Sequence, residues 1–209
     1  MQASSAKFIT LEGSEGAGKS TNLQFIAHWL QQRQQKVLTT REPGGTEIGE
    51  AIRAILLDQR FTEMTAETEL LLMFAARNQH LQQFIQPALV QGQWVISDRF
   101  TDASYAYQGA ARGLDFARIA QIEDWVQQGF YPDLVFVFDL PVSLGLQRVK
   151  SRGQASDRFE KEQLVFFEKV RQAYLQRAEQ QPDRYCILDA SQPLNQVQAQ
   201  IVERLAQFF

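Results

Sequence analysis

The octapeptide Gly13-Ser14-Glu15-Gly16-Ala17-Gly18-Lys19-Ser20 constrains this chain more than any other feature. It satisfies G-x-x-x-x-G-K-[S/T] in full, follows the apolar run Phe8-Ile9-Thr10-Leu11 and opens a helical stretch. Glycines let a backbone curl until successive amides point inward at phosphate oxygens, and the helix that follows adds its positive end. Residues Gly13 to Thr21 are therefore expected to bind ATP. Lys19 supplies a mobile charge for the β- and γ-phosphates, and the Ser20 hydroxyl is placed to ligate Mg²⁺. No Asn-Lys-x-Asp guanine motif occurs. Mechanical ATPases with this loop usually run longer than 209 residues. Both points favour a kinase.

The rest of the chain alternates short apolar runs with longer helical segments. Strands are expected at 8–11, 37–39, 94–97, 134–138 and 185–188, and helices at 19–34, 46–58, 65–91, 114–128, 142–151, 160–179 and 194–207. The apolar runs do not alternate with polar residues, so all five strands should be buried on both faces. That pattern predicts an α/β fold with a doubly wound, five-stranded parallel sheet flanked by helices, as one domain over residues 1–209. Residues 1–6 are expected to be flexible. Pro87 should kink or end the third helix, and Pro132, Pro141 and Pro193 fall at element boundaries.

Composition removes several classes of function. With 21 basic and 24 acidic residues there is no global field to recruit nucleic acid or an anionic membrane. No apolar run approaches the roughly 18 residues of a membrane span. The single cysteine, Cys186, excludes an internal disulfide and fits a reducing, cytoplasmic setting.

A kinase of this type needs a second anion site, for which arginine is suited by its planar fork. The strand at 94–97 runs into Asp98-Arg99-Phe100. Ligands of open α/β sheets bind beyond the carboxyl ends of strands, so Asp98 can orient Mg²⁺ or its water and Arg99 can grip acceptor phosphate. A salt bridge between the two is the plainer alternative. Arg41, in Thr40-Arg41-Glu42-Pro43-Gly44-Gly45-Thr46, either contacts phosphate or braces the turn. Phe74 and Arg77 lie three apart, on one helical face. They can stack on a base and bond its edge, or they can be core and surface. Arg148 and Arg152 lead into a glycine-containing charged stretch that is either a lid over the phosphates, spanning 152–160, or a solvated connection.

Taken in order, Glu12-Gly13-Ser14-Glu15-Gly16-Ala17-Gly18-Lys19-Ser20-Thr21, Thr40-Arg41-Glu42-Pro43-Gly44-Gly45-Thr46, Ser97-Asp98-Arg99-Phe100, Ala106-Tyr107-Gln108-Gly109 and Pro132-Asp133-Leu134 resemble the thymidylate kinase family. The resemblance implies a P-loop kinase fold, a homodimer, and transfer of the ATP γ-phosphoryl group to dTMP. It also implies residue roles. Glu15 would contact the 3′-hydroxyl, Phe74 would stack on thymine and Arg77 would bond its O4 edge. Arg99 would hold the acceptor phosphate, Tyr107 would crowd the sugar 2′ position, and Gln108 would lie against base or sugar. Some members carry a catalytic arginine within the P-loop. Here the variable positions are Ser14, Glu15, Gly16 and Ala17, which resembles the bacterial arrangement and makes the lid arginines Arg152 and Arg158 the catalytic candidates. The alternative is another P-loop nucleotide or deoxynucleoside kinase.

Overall fold

The computed structural model describes residues 6–151, 158–159 and 162–209. The expected flexible start, Ala6 aside, and most of the expected lid, including Arg152, lie outside the described residues. Five parallel strands form one sheet: β1 (Phe8–Glu12), β2 (Val37–Arg41), β3 (Trp94–Asp98), β4 (Leu134–Asp139) and β5 (Tyr185–Asp189), in the order β2-β3-β1-β4-β5. Leu11 pairs with Asp98 across β1 and β3, so the loops after both strands leave the same edge side by side. The chain direction of winding reverses there, which is where ligands of such sheets bind.

β1, β3 and β4 are buried almost throughout, as their unbroken apolar runs require. β2 and β5 depart from the expectation of two covered faces, with half-buried and exposed positions along both. They are the sheet edges, and a strand with a neighbour on one side only is incompletely covered. Period-two alternation shows in β4. Phe136 and Phe138 join a core layer with Ile9, Leu11, Ile26 and Ile201, whereas Val135 and Val137 face Phe167, Val170 and Tyr174 on the other side.

The helices are α1 (Lys19–Gln31), α2 (Glu47–Leu57), α3 (Ala66–His80), α4 (Gln86–Val90), α5 (Thr101–Ser104), α6 (Phe116–Gln127), α7 (Val142–Lys150), α8 (Leu164–Gln180) and α9 (Leu194–Ala206). Thr46, Thr65 and Asp115 cap α2, α3 and α6 through their side-chain oxygens. Pro87 has a subtler effect than a simple stop. A π-helical turn, Leu81–Ile85, separates α3 from α4, and the Gln86 amide reaches back to Leu81 just before the proline. A wider turn is a recognised way to carry a helix past a residue that cannot donate. A second π-helical turn, Tyr105–Ala111, continues α5. No helix was expected from sequence over 101–111. Among the described residues no helix is long and apolar enough to cross a membrane.

Phe136 is fully buried on the interior strand β4. Phe136→Ala should lower the unfolding free energy by about 3–5 kcal/mol, measured by urea denaturation.

Candidate active site

The phosphate cradle forms where β1 gives way to α1. Gly18 occupies the N-cap of α1 in a left-handed conformation (φ 87°), which costs glycine little. No described side chain caps this helix end, so its first amides remain for an anion. The Lys19 ammonium is buried and donates to the Gly13 and Ser14 carbonyls at 2.9 and 3.0 Å. Burial, and then the charge of Arg99, lower its pKa, so a phosphate in the cradle would relieve an unfavourable environment. Ser20 and Thr21 are exposed at the mouth. A Cβ on Gly16 would fall 2.3 Å from the Gly145 carbonyl oxygen, and one on Gly145 would fall 2.5 Å from that of Glu15. The loop therefore rests directly on the backbone of α7. Arg148 of α7 donates to the Gly16 and Ala190 carbonyls at 3.4 and 3.2 Å.

Arg99 is held between this cradle and a neighbouring cleft. Its φ is 71°, a region that costs a non-glycine residue about 1–3 kcal/mol. Three hydrogen bonds hold it there. The Arg99 amide donates to Leu11 O (2.9 Å), the Ser97 hydroxyl donates to Arg99 O (2.7 Å), and the next amide, Phe100, donates to the Glu12 carboxyl (2.7 Å). The guanidinium donates to Gly13 O at 3.2 Å, to the Tyr174 hydroxyl at 3.0 Å and to Glu15, and lies 4.8 Å from the centre of the Tyr107 ring. The structure thus shows Arg99 bonded to Glu15, not to its neighbour Asp98. Asp98 keeps a buried Oδ1 without a partner among the described residues.

An open cleft of about 560 Å³ lies beyond Arg99. Glu15, Arg77, Arg99, Tyr107 and Gln108 all line it, so five residues nominated from sequence for the acceptor come together. The π-helical turn after α5 delivers Tyr107 and Gln108, both buried. Arg77 is almost wholly buried and its fork is nearly filled: Nε donates to Glu42 at 2.7 Å, and the terminal nitrogens reach Ser104 and Phe100 O at 3.0–3.2 Å. Glu42 also bonds His80, whose other ring nitrogen meets Thr40. Phe74 is placed elsewhere. Its ring packs in the core with Leu70, Tyr105 and Ile119 and does not line the cleft, and Arg77 covers it at 4.5 Å. Met73, one residue earlier, lines the cleft instead. A four-residue spacing puts Met73 on the face of Arg77 as readily as a three-residue spacing puts Phe74 there. Sequence reading also missed Phe100, Arg53 and Phe159 in the lining. Arg41 pairs with Glu50, which accepts from the Gly45 amide, so it braces the turn.

The thymidylate kinase family model matches residues 11–201. The chain is 60% identical over 194 residues to a thymidylate kinase of Ectopseudomonas mendocina (strain ymp), covering 93% of this chain and 92% of that one. It is 55% identical over 199 residues to one of Thiobacillus denitrificans, covering 95% and 96%. The crystal structure of thymidylate kinase from Ehrlichia chaffeensis superposes with a TM-score of 0.78 at 30% identity, covering 96% of this chain and 98% of that one. The chain belongs to the thymidylate kinase family.

Thymidylate kinases are ATP-dependent nucleoside monophosphate kinases, and the P-loop kinase fold expected from sequence is the one observed. Of the two lid arginines nominated as catalytic in this chain, Arg152 lies outside the described residues. Arg158 docks on the acceptor side, where it donates to Leu56 O at 2.9 Å and to Glu69, away from the cradle.

Glu12 sits fully buried under both loops. Burial, with Asp102 nearby, raises its pKa from 4.5 to about 8. The folded state holds this proton more tightly than the unfolded chain does. The stability Glu12 contributes is thus complete below about pH 4.5 and is lost as pH rises through about 8. Glu12→Gln mimics the neutral acid and keeps an acceptor for Phe100. Its Tm relative to the unmodified protein should rise across that interval, measured by calorimetry at a series of pH values.

Proposed function

We propose that this chain transfers the γ-phosphoryl group of ATP to dTMP, giving ADP and dTDP. The position of Arg99 carries the reading. It lines the cleft while bonding the Gly13 carbonyl, so a phosphate gripped by Arg99 would lie against the end of the cradle that receives the triphosphate. Phosphoryl transfer asks little covalent chemistry of a protein. Alignment of the two phosphates and neutralisation of charge on the moving group do most of the work. Lys19 would hold the β- and γ-phosphates and Arg99 the acceptor phosphate. Glu15 would meet the 3′-hydroxyl and Tyr107 would disfavour a 2′-hydroxyl. Arg77 and Gln108 would read the base edge, with Met73 rather than Phe74 providing the apolar contact to the ring. For Arg158 to act on the moving group it would first have to leave Glu69.

Mg²⁺ would enter with ATP. The unpartnered Asp98 Oδ1 is an oxygen available to a hydrated cation, and the exposed Ser20 hydroxyl is a second. Among the described residues no group of three or more His, Cys, Asp or Glu could hold a metal alone, which fits a cation carried largely by phosphates. The ion would supply charge neutralisation for the transferred phosphoryl group.

The reading includes a cytoplasmic homodimer. The balanced charge and lone cysteine support the compartment. Ile48 and Ile55 on α2, Leu71 on α3 and Trp125 on α6, 77% exposed, support a second copy, since these helices adjoin one another.

With ATP and magnesium, dTMP should be phosphorylated with the highest kcat/KM in a panel of dTMP, thymidine, dUMP, UMP and CMP, followed by coupled ADP release. Preferential use of thymidine, UMP or CMP would move the chain to a different nucleotide or nucleoside kinase. Met73→Ala should raise the KM for dTMP by about 10-fold with the KM for ATP unchanged. Phe74→Ala should instead lower the unfolding free energy by about 3–5 kcal/mol. Steady-state kinetics beside urea denaturation separates the two.

A further inference from the structure

Gln108 is the one amide side chain in the cleft lining among the described residues, and an amide can present either an acceptor or a donor. What it presents depends on which way round it is held. Its Nε2 donates at 2.7 Å to Oε1 of Glu69, which is wholly buried on α3. Two guanidinium groups accompany that carboxylate: Arg158 bonds Oε2, and Arg112 approaches both oxygens at 3.4–3.5 Å. A carboxylate in that company is an acceptor only. Turning the Gln108 amide round would set its carbonyl oxygen against a carboxylate oxygen, at a separation of 2.7 Å that leaves no room between them. The nitrogen is therefore committed to Glu69, and the oxygen is left for the cleft.

We infer that Glu69 is a specificity-determining positioning residue, which fixes the Gln108 amide so that the acceptor site takes a pyrimidine carrying a proton on N3 and rejects cytosine. The inference rests on the proposed use of a pyrimidine monophosphate. Thymine offers an N3–H donor beside the O4 acceptor, the complement of the Gln108 oxygen and an Arg77 donor. Cytosine offers a lone pair at N3 and an amino group at C4, so it opposes like to like at both positions. The carboxylate that decides the matter never touches the nucleotide.

The test is Glu69→Gln, assayed with dTMP and dCMP. An amide at 69 can accept or donate, so Gln108 is satisfied in either orientation. The ratio of kcat/KM for dTMP over dCMP should fall about 10-fold or more. Glu69→Asp keeps an acceptor-only partner and should keep the ratio, whatever happens to the absolute rates. A purely structural role for Glu69 would lower both substrates together, so an unchanged ratio in Glu69→Gln, or an equal fall in Glu69→Asp, overturns the inference. The unmodified protein supplies a reading independent of whether the variants fold. In a nitrogen-15 spectrum, the Gln108 amide pair, assigned by its loss in Gln108→Leu, should have one slowly exchanging proton before any nucleotide is added. Free exchange of both protons, or protection only after dTMP binds, overturns it as well. An unmodified protein that does not prefer dTMP to dCMP would instead sink the functional reading beneath.

Discussion

A single hydrogen bond between strands does most to relate the two halves of the site. The Glu12 carboxyl, at the end of β1, accepts from the Phe100 amide just beyond β3. The loop after β1 becomes the phosphate cradle and the loop after β3 carries Arg99, so this bond fixes the spacing between donor and acceptor. It also holds Arg99 in a backbone conformation that a non-glycine residue does not adopt unaided. Ladder pairing of Leu11 with Asp98 brings the two loops together, and the buried acid ties them to each other. An acid kept neutral by burial suits that task, because it accepts a backbone hydrogen bond without leaving an unpaired charge in the core.

The cleft beyond is built on a related plan, with two arginines and one amide held by carboxylates. Arg77 is oriented by Glu42, Gln108 by Glu69 and Arg99 in part by Glu15. These three side chains are thereby committed to one orientation before a ligand arrives, which lowers the entropy that binding must remove.

Much of this was legible in the sequence. Strand positions followed from unbroken apolar runs, and the cradle from glycine spacing ahead of Lys19-Ser20. Arg99 and Asp98 were marked by their place at a strand end. The failures have physical causes. The runs at 37–39 and 185–188 look as apolar as the central strands, and composition does not reveal which strands will be edges. Tyr105 to Ala111 form a π-helical turn, which has no periodic signature in seven residues. Phe74 was nominated as a ring at the right spacing from Arg77, but Met73 shares that face and only packing decides between them. Glu12 and Glu69 read as ordinary acidic residues in an apolar strand and a helix, and nothing local announces that both are sealed from water.

The glycine pair at the cradle has a mechanical consequence. Gly16 and Gly145 meet main chain to main chain, with no side chain between them to rotate aside. Packed protein at such a junction is stiff. A triphosphate tail that shifts the loop therefore displaces the start of α7 by a comparable distance, and Arg148, tied to Gly16, moves with it. Occupancy of the cradle would thus reach α7 through main-chain contact as well as through charge.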